Sequence, residues 1–413
     1  MRVAIIGGGA AGMMCTASVH EADPNADIFL IDRNDGLGKK VIISGGGRCN
    51  VTTGITDVKT VLTKYPRGGK FLISAMYAFP PEAVYEWFES HGVPLKKQID
   101  MRVFPVSDNG HDIVGVFEKM FNDPKIHLML KNTVVSVKKR GSEFEINIKD
   151  KDAPIVVDKL VLTTGGQAYR QTGSTGDGYA FATSLGHTIT PLAPSLSAFF
   201  TKETWPAKIS GLSFEKATIT AKLEKHPHFT GPFLFTHKGI SGPAVFALSS
   251  LIAYEKFDKL KPLKIYMDLF PDETLDGLKE KYESITTEKN NKQFVNIISH
   301  IVPKSLAEII IDEQKISKSK RANQVSKKEI INCLAWIKSI PLSIIARSAG
   351  DEFVTAGGVK LSEIDPKTME SKICPGLYFA GEIMDVDGFT GGFNLQASWA
   401  TGRQAGLHIA KNI

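Results

Sequence analysis

Cysteine is scarce in this chain. The four present, Cys15, Cys49, Cys333 and Cys374, stand far apart, so no Cys-x-x-Cys pair and no zinc-ligand spacing exists. That usage argues against a disulfide scaffold and suits a reducing cytoplasm. Long apolar runs are missing as well. The most apolar helical stretch, 244–254, falls far short of the ~20 residues a membrane span needs. Val3-Ala4-Ile5-Ile6 is too short for the apolar region of a signal peptide before glycines take over. A soluble, cytoplasmic protein is therefore expected. Neither sign of charge dominates: 50 basic against 44 acidic residues leave +6, which suits an anionic ligand but is too small to argue for nucleic acid. Internal repeats are absent.

What the chain does have is glycine, concentrated at its two ends. At roughly 150 residues per domain, 413 residues suggest two or three domains. Glycine-dense stretches occupy 1–50, 165–178 and 357–392, and composition changes near Pro191. Residues 191–271, with short apolar runs and many Gly and Pro breaks, predict an inserted antiparallel β-barrel with a hairpin tip at Lys222–His228. The Lys/Glu/Ile-rich stretch 272–350 predicts a helical domain. The fold class expected is α/β: a Rossmann-type domain of parallel sheet, helices and a small antiparallel crossover sheet, built from 1–190 plus 351–413 and interrupted by the barrel and the helices. Oligomeric state is not readable.

The first motif is Val3–Ile6 followed by Gly7-Gly8-Gly9-Ala10-Ala11-Gly12: a strand, G-x-G-x-x-G and a small-residue helix. Gly7 permits a tight turn, Gly9 lets backbone approach a pyrophosphate, and Gly12 lets helix and strand lie close. The helix N-terminus then presents unpaired N–H groups to phosphate. The helix should end before Asp23-Pro24. The next strand, Ile28–Ile31, ends at Asp32, 20 residues beyond Gly12, where an acid meets a ribose hydroxyl. A dinucleotide site follows. The fingerprint does not separate FAD from NAD, and Arg33 even suits a 2′-phosphate.

Later segments carry that distinction. Lys39 to Asn50 includes Ser44-Gly45-Gly46-Gly47-Arg48-Cys49-Asn50, a loop rich in free N–H groups suited to a flat polar ring or a phosphate, with Lys40 and Arg48 adding charge. Cys49 has no neighbouring histidine or second thiol and reads as a neutral cofactor contact rather than a nucleophile. Leu160–Thr164 runs into Gly165-Gly166, a turn that brings backbone near the cofactor. Tyr169 and Arg170 follow and either border the cofactor or pack and pair at the surface. Gly173–Gly178 sets loop geometry, with an N-cap expected at Asp177. Near the C-terminus, Tyr378–Ala380 leads to Gly381-Glu382, then Asp385, Asp387, and Asn394-Leu395-Gln396 opening a last helix. A carboxylate here can take ribityl hydroxyls, and the helix dipole can face the N1/C2 edge of a flavin. An NAD-only protein has no use for this second acid and second aimed helix. Asp385 and Asp387 read equally as a capped turn. Ser398, Gly402 and Gly406 recur at i, i+4, which permits close helix packing.

These residues together resemble the HI0933-like flavoproteins, a family that includes aminoacetone-oxidase-like and bile-acid-reductase-like members. The likeness runs through Gly7–Gly12, Ile43–Asn50, Arg102–Ser107, Leu234–Pro243, Val354–Val359 and Gly381–Gly402. It implies FAD, with Asp32 on the adenosine ribose and Val135 meeting adenine through its backbone. Glu382 would face the ribityl chain, and Asn394, Leu395 and Gln396 the isoalloxazine. Glu382 departs from the broader superfamily, where Asp is common; the longer acid should still reach. The expectation is a FAD-dependent oxidoreductase on a small organic substrate, reducing a conjugated enone with NAD(P)H or oxidising a small amine. With no second strand–GxGxxG–helix unit, a nicotinamide nucleotide would dock only transiently. No metal and no catalytic acid or base is identified; His237 reads as structural. Two alternatives stay open: a flavoprotein acting on RNA, supported only by the basic run 315–328, and a non-catalytic flavin-binding module.

Overall fold

The computed structural model describes residues 1–287, 289, 291–348, 350 and 352–411. The chain divides into two compact units, Met1–Ser195 with Glu352–Ile413, and Leu196–Asp351.

The first unit is built on β1 (Arg2–Ile6), α1 (Ala10–Ala22) and β2 (Asp27–Ile31). A short helix α2 (Lys39–Ile43) follows. After it come β3 (Ile126–Met129), β4 (Val134–Arg140), β5 (Glu143–Ile148), β6 (Ile155–Val157) and β7 (Lys159–Leu162). The unit ends with α3 (Asp177–Ser184), β8 (Leu377–Phe379) and α4 (Phe393–Lys411). Five strands form a parallel sheet in the order β8-β7-β1-β2-β3. Its strands are short β-branched and aliphatic runs, and Val3, Ala4, Ile5, Leu160, Val161 and Leu162 are fully buried, as a sheet covered on both faces requires. The crossover sheet β4-β5-β6 is antiparallel. Pro80-Pro81 separates helices Ile73–Ala78 and Pro81–Ser90, with Pro81 in the first turn of the second.

Close contact between α1 and α4 explains the small residues of α4. A Cβ on Gly402 would fall on the Ala11 carbonyl oxygen, and one on Gly406 would lie 2.7 Å from the Cys15 carbonyl oxygen. The first and last helices of the unit thus touch backbone to backbone, beside the sheet that both ends of the chain supply.

The second unit holds a closed six-stranded barrel, in the order 199–201, 239–241, 228–236, 213–221, 263–268 and 340–347. The hairpin tip falls at 222–227, between the long strands Ser213–Ala221 and His228–Thr236. The barrel takes one strand, Ile340–Arg347, from beyond the 191–271 stretch expected to form it. Helices Leu275–Thr286, Phe294–Ile298, Lys304–Glu313 and Lys327–Lys338 share one core with the barrel. Trp205 and Trp336 meet at 5.8 Å within it. Ile340, Leu342 and Ile344 alternate inward, so strand pairing overrides the helical composition that precedes them.

Candidate functional site

The expected residues converge at the carboxyl ends of the parallel strands, where open α/β sheets bind ligands. Gly7 follows β1, Asp32 follows β2, Thr164-Gly165-Gly166 follow β7, and Gly381-Glu382 follow β8. Gly12 is required by packing: its Cβ would fall on the Gly7 carbonyl oxygen and 2.8 Å from Thr163 Oγ1. Thr163 Oγ1 itself bonds the Ile6 and Gly7 carbonyls at 3.0 and 2.8 Å. Gly9 has the opposite character, since a Cβ there would meet nothing within 4 Å. Gly46 and Gly47 are also open. The half-buried turn before α1 and the exposed glycine loop offer the cradle that a pyrophosphate and a flat ring need. The residues present fit FAD.

Asp32 is held ready by backbone. Its two carboxylate oxygens accept Gly8 N–H at 2.6 Å and Asn34 N–H at 2.7 Å, and each oxygen keeps a second lone pair for a ribose hydroxyl. Arg33 is committed elsewhere: it pairs with Asp177 and donates to Thr175 Oγ1 at 2.8 Å. It therefore ties the start of α3 to the end of β2, and does not stand ready for a 2′-phosphate. Asp177 is consequently not the N-cap. Gly176 takes that position in a left-handed conformation, and Asp177 opens the helix, where its charge suits the dipole.

Gly45, Gly46 and Gly47 all adopt positive φ, and Cys49 does so at 60°. Only glycine takes three such residues in succession without strain. Arg48 turns from the loop onto the Phe104 ring at 4.0 Å and toward Asp108 at 3.8 Å. Asn50 fastens the loop to the far end of the chain: its amide oxygen faces Gly392 N–H at 2.8 Å and its nitrogen faces the Thr52 carbonyl at 3.1 Å. Cys49 is fully buried, and burial pushes its thiol up to about 12. All four cysteines are buried and free. The native protein should accordingly yield no rapidly titrating thiol with an aromatic disulfide at pH ~8, because a thiol of this kind is ionised about once in 10⁴. Reaction at Cys49 faster than global unfolding would refute the neutral role.

Lys40 and Glu382 meet across the site at 2.7 Å, with side chains 27% and 16% exposed. The other Glu382 oxygen accepts Thr355 N–H at 2.8 Å. Gly166 has no room for a side chain: a Cβ there would lie 2.5 Å from Thr355 Oγ1 and 2.9 Å from Glu382 Oε1. Tyr169, at φ 54°, stacks on Phe353 with centroids 5.9 Å apart, and Arg170 reaches Gln167 Oε1 at 3.3 Å. Val135 is exposed, and sits at a register shift between Val134 and Ser136. Its backbone is the extra residue of a bulge, outside the β4–β5 register.

At the start of α4 the expected roles divide. Gln396 is fully buried and turned inward, its oxygen accepting Thr52 Oγ1–H at 2.6 Å and its nitrogen donating to the Phe79 carbonyl at 2.8 Å. The Asn394 side chain closes the preceding loop by bonds to Gly388 N and O, both at 2.8 Å. What this terminus offers a ring is backbone N–H and the helix dipole, with Leu395 alongside. Arg67 joins the site with no local signal in the sequence. It grips the fully buried Asp387 with two guanidinium nitrogens, and Ser195 Oγ donates to the same carboxylate at 2.7 Å. Asp387 is therefore a structural anion that fixes the loop leading into α4. Asp385, half buried, has its pKa raised by burial, and its Oδ1 has no hydrogen-bond partner among the described residues.

A Glu363–His187–Ser371 chain, 3.3 Å at Nδ1 and 2.7 Å at Nε2, imitates a nucleophilic triad. Ser371 is buried and its Oγ already accepts the N–H groups of Ile373 and Cys374 at 3.0 and 2.7 Å, which leaves no access for an acyl substrate. Burial lowers the His187 pKa. The unfolded chain therefore binds the proton first, so stability from this group is complete above pH ~6.5 and drains away as pH falls below it. Thermal melts between pH ~7 and ~5 should show that slope, and His187→Asn should flatten it.

Open glycines before α1, an acid at the end of β2, a second acid after β8 and the start of α4 converge as a FAD-dependent oxidoreductase of the Rossmann type requires. The chain belongs to the HI0933-like family; the model described as HI0933-like protein Rossmann domain matches residues 1–408. Among its relatives, the 3-dehydro-bile acid delta(4,6)-reductase of Clostridium scindens is 29% identical over 99% of both chains. The ribosomal RNA dihydrouridine synthase of Escherichia coli is 28% identical over 96% of this chain and 95% of its own. The fold is similar to that of 3-ketosteroid delta1-dehydrogenase from Sterolibacterium denitrificans, with TM-score 0.50, 12% identity and coverage of 100% and 99%. It is also similar to the FrdA chain of E. coli quinol fumarate reductase, with TM-score 0.51, 15% identity and coverage of 100% and 70%. Among the described residues, no helix is long and apolar enough to cross a membrane, and no cluster of His, Cys, Asp and Glu suits a metal ion.

Proposed function

We propose that this protein reduces a carbon–carbon double bond conjugated to a carbonyl in a small organic substrate, with NADH or NADPH as a transiently bound electron donor. The observation that carries this reading is the end-to-end relationship to a bile acid delta(4,6)-reductase, over 99% of both chains. The dihydrouridine synthases, related over nearly the same span, point to the same bond type, because a uracil ring also conjugates its double bond to a carbonyl. The bound flavin supplies the two-electron chemistry. The protein's part is to bind and orient it. Asp32 and the α1 turn would hold the ribose and pyrophosphate. Lys40 and Glu382 would hold the ribityl side, and the α4 terminus would offset negative charge at the ring edge. Buried thiols and a single dinucleotide fingerprint support a diffusible donor over a thiol relay.

RNA as substrate is the second reading, favoured by the dihydrouridine synthase relatives. Its surface support is thin. Within the basic run, Lys318 pairs with Asp312 and Lys320 with Glu329, as on an ordinary solvated face. The deciding experiment is anaerobic. The FAD-loaded protein is mixed with NADH or NADPH, the flavin band is followed, and a conjugated ketosteroid, unmodified ribosomal RNA or a panel of amines is added. The expected result is bleaching by a nicotinamide nucleotide, recovery of colour with the ketone, and a product two hydrogens heavier. Recovery with RNA alone selects the second reading. Bleaching by an amine without a nicotinamide nucleotide selects amine oxidation, and no bleaching at all rejects the reductase.

A further inference from the structure

A groove of about 760 Å³ runs between β4 and α3 in the first unit, apart from the phosphate cradle. Six consecutive residues, 135–140, line it. Successive side chains of a strand point to opposite faces, so a groove meets all six only by running along the strand's edge. β4 is an edge strand, since its sheet has the order β4-β5-β6. The hairpin between β4 and β5 turns on Gly141-Ser142, with Gly141 at φ 61° and Arg140 opposite Glu143. In a two-residue hairpin the flanking pair exchanges both hydrogen bonds and the pattern then alternates. Arg140 and Lys138 accordingly bond β5, while Lys139 and Val137 present N–H and C=O to the groove.

The groove is firm and charged. Its floor is Val137, Phe181, Leu185 and Cys374, all nearly buried. The Cys374 segment is pinned by Ser371, and Lys139 Nζ donates to the Pro375 carbonyl at 2.9 Å while lying 3.9 Å over the Phe144 ring. Lys138, Lys139 and Arg140 all line it, and no acid does. Glu145, which pairs with Arg140 at 2.8 Å, stands outside the lining. A second copy of β4 paired on this edge would set cation against cation, which disfavours self-association. The same charges favour a strand of the opposite sign.

We propose that the open edge of β4 and the groove beside α3 dock an extended acidic segment of a partner protein, which adds to the crossover sheet as a fourth strand. Main-chain bonds to Val137 and Lys139 would hold it, alternate apolar side chains would enter the floor, and acidic ones would meet the cationic rim. Six strand residues span about 20 Å, the reach of a heptapeptide.

The test uses the FAD-loaded full chain and a fluorescent, terminally blocked heptapeptide alternating Glu and Val. Fluorescence anisotropy should report binding, and amide exchange should slow within 134–140. Lys138→Glu should weaken binding about tenfold and Glu145→Gln should strengthen it, as expected for charge complementarity. Ser184→Trp, on the exposed face of α3, should block the groove with the flavin band unchanged. Three results would each overturn the proposal: no slowed exchange in β4, equal binding of a peptide with Lys in place of Glu, or equal binding of one with proline at alternate positions.

Discussion

Replacement of Gly12 by valine is expected to give a colourless protein. The first atom of the new side chain would land on the Gly7 carbonyl oxygen, with Thr163 Oγ1 behind it. Neither is the far end of a flexible side chain, and Thr163 is itself bonded to the backbone of β1 and the turn. The strain can be relieved only by lifting α1 off β1, which spreads the turn whose N–H groups would face the phosphates. Overpacking of this kind costs about 1–3 kcal/mol of stability. The larger effect falls on the ligand, because misplaced anion donors lose most of their worth; an affinity drop of at least ~100-fold is expected. Gly9→Leu provides the contrast. It meets open space, so its melting temperature without FAD should match the parent while FAD uptake falls. Visible absorbance of the purified variants, read beside melts of flavin-free protein, separates the two. A yellow Gly12→Val protein of normal affinity would show that the turn does not carry the phosphates.

Arg67→Ala is expected to produce the largest loss of stability among single polar substitutions. Asp387 is fully buried, and Arg67 grips both of its carboxylate oxygens. Removing the cation takes the two-pronged ion pair from a buried carboxylate, and breaking a buried pair in this way costs about 3–5 kcal/mol. For a unit of this size that corresponds to a fall of roughly 10 °C in melting temperature. The double variant Arg67→Leu with Asp387→Leu should recover much of the loss, since desolvation of both ions is avoided. A single variant within about 1 kcal/mol of the parent would show that the pair is not what anchors the loop before α4.

Much of this site was legible beforehand because its requirements are local. Gly7, Gly9 and Gly12 act through contacts within one strand–turn–helix unit, and Asp32 follows at a fixed spacing. The loop at Gly45–Gly47 advertises left-handed backbone by composition alone. What escaped was set by partners hundreds of residues away. Nothing near Arg67 indicates that residue 387 will lie against it, and Asp387 reads equally well as a turn acid. Arg33 was open to a phosphate role until α3 brought Asp177 to it. Gln396 sits where the family likeness puts a ring contact, but its side chain is claimed by Thr52 and Phe79. The strand Ile340–Arg347 was hidden because barrel closure, a nonlocal constraint, decides its state.

Backbone contact between the first and last helices of the FAD unit also has a consequence in time. β1 and α1 leave the ribosome early, but the sheet gains β8 only at Leu377 and α1 gains its neighbour only with Gly402 and Gly406. At about 5–20 residues per second, the nascent α1 waits roughly 20–70 s for that partner. The barrel unit, complete by residue 351 and with its own core, can close meanwhile. Newly made chains should therefore pass through a stage in which the middle is folded and the cofactor fold is not, with apolar surface of α1 open to chaperones, and FAD can be captured only after α4 has emerged.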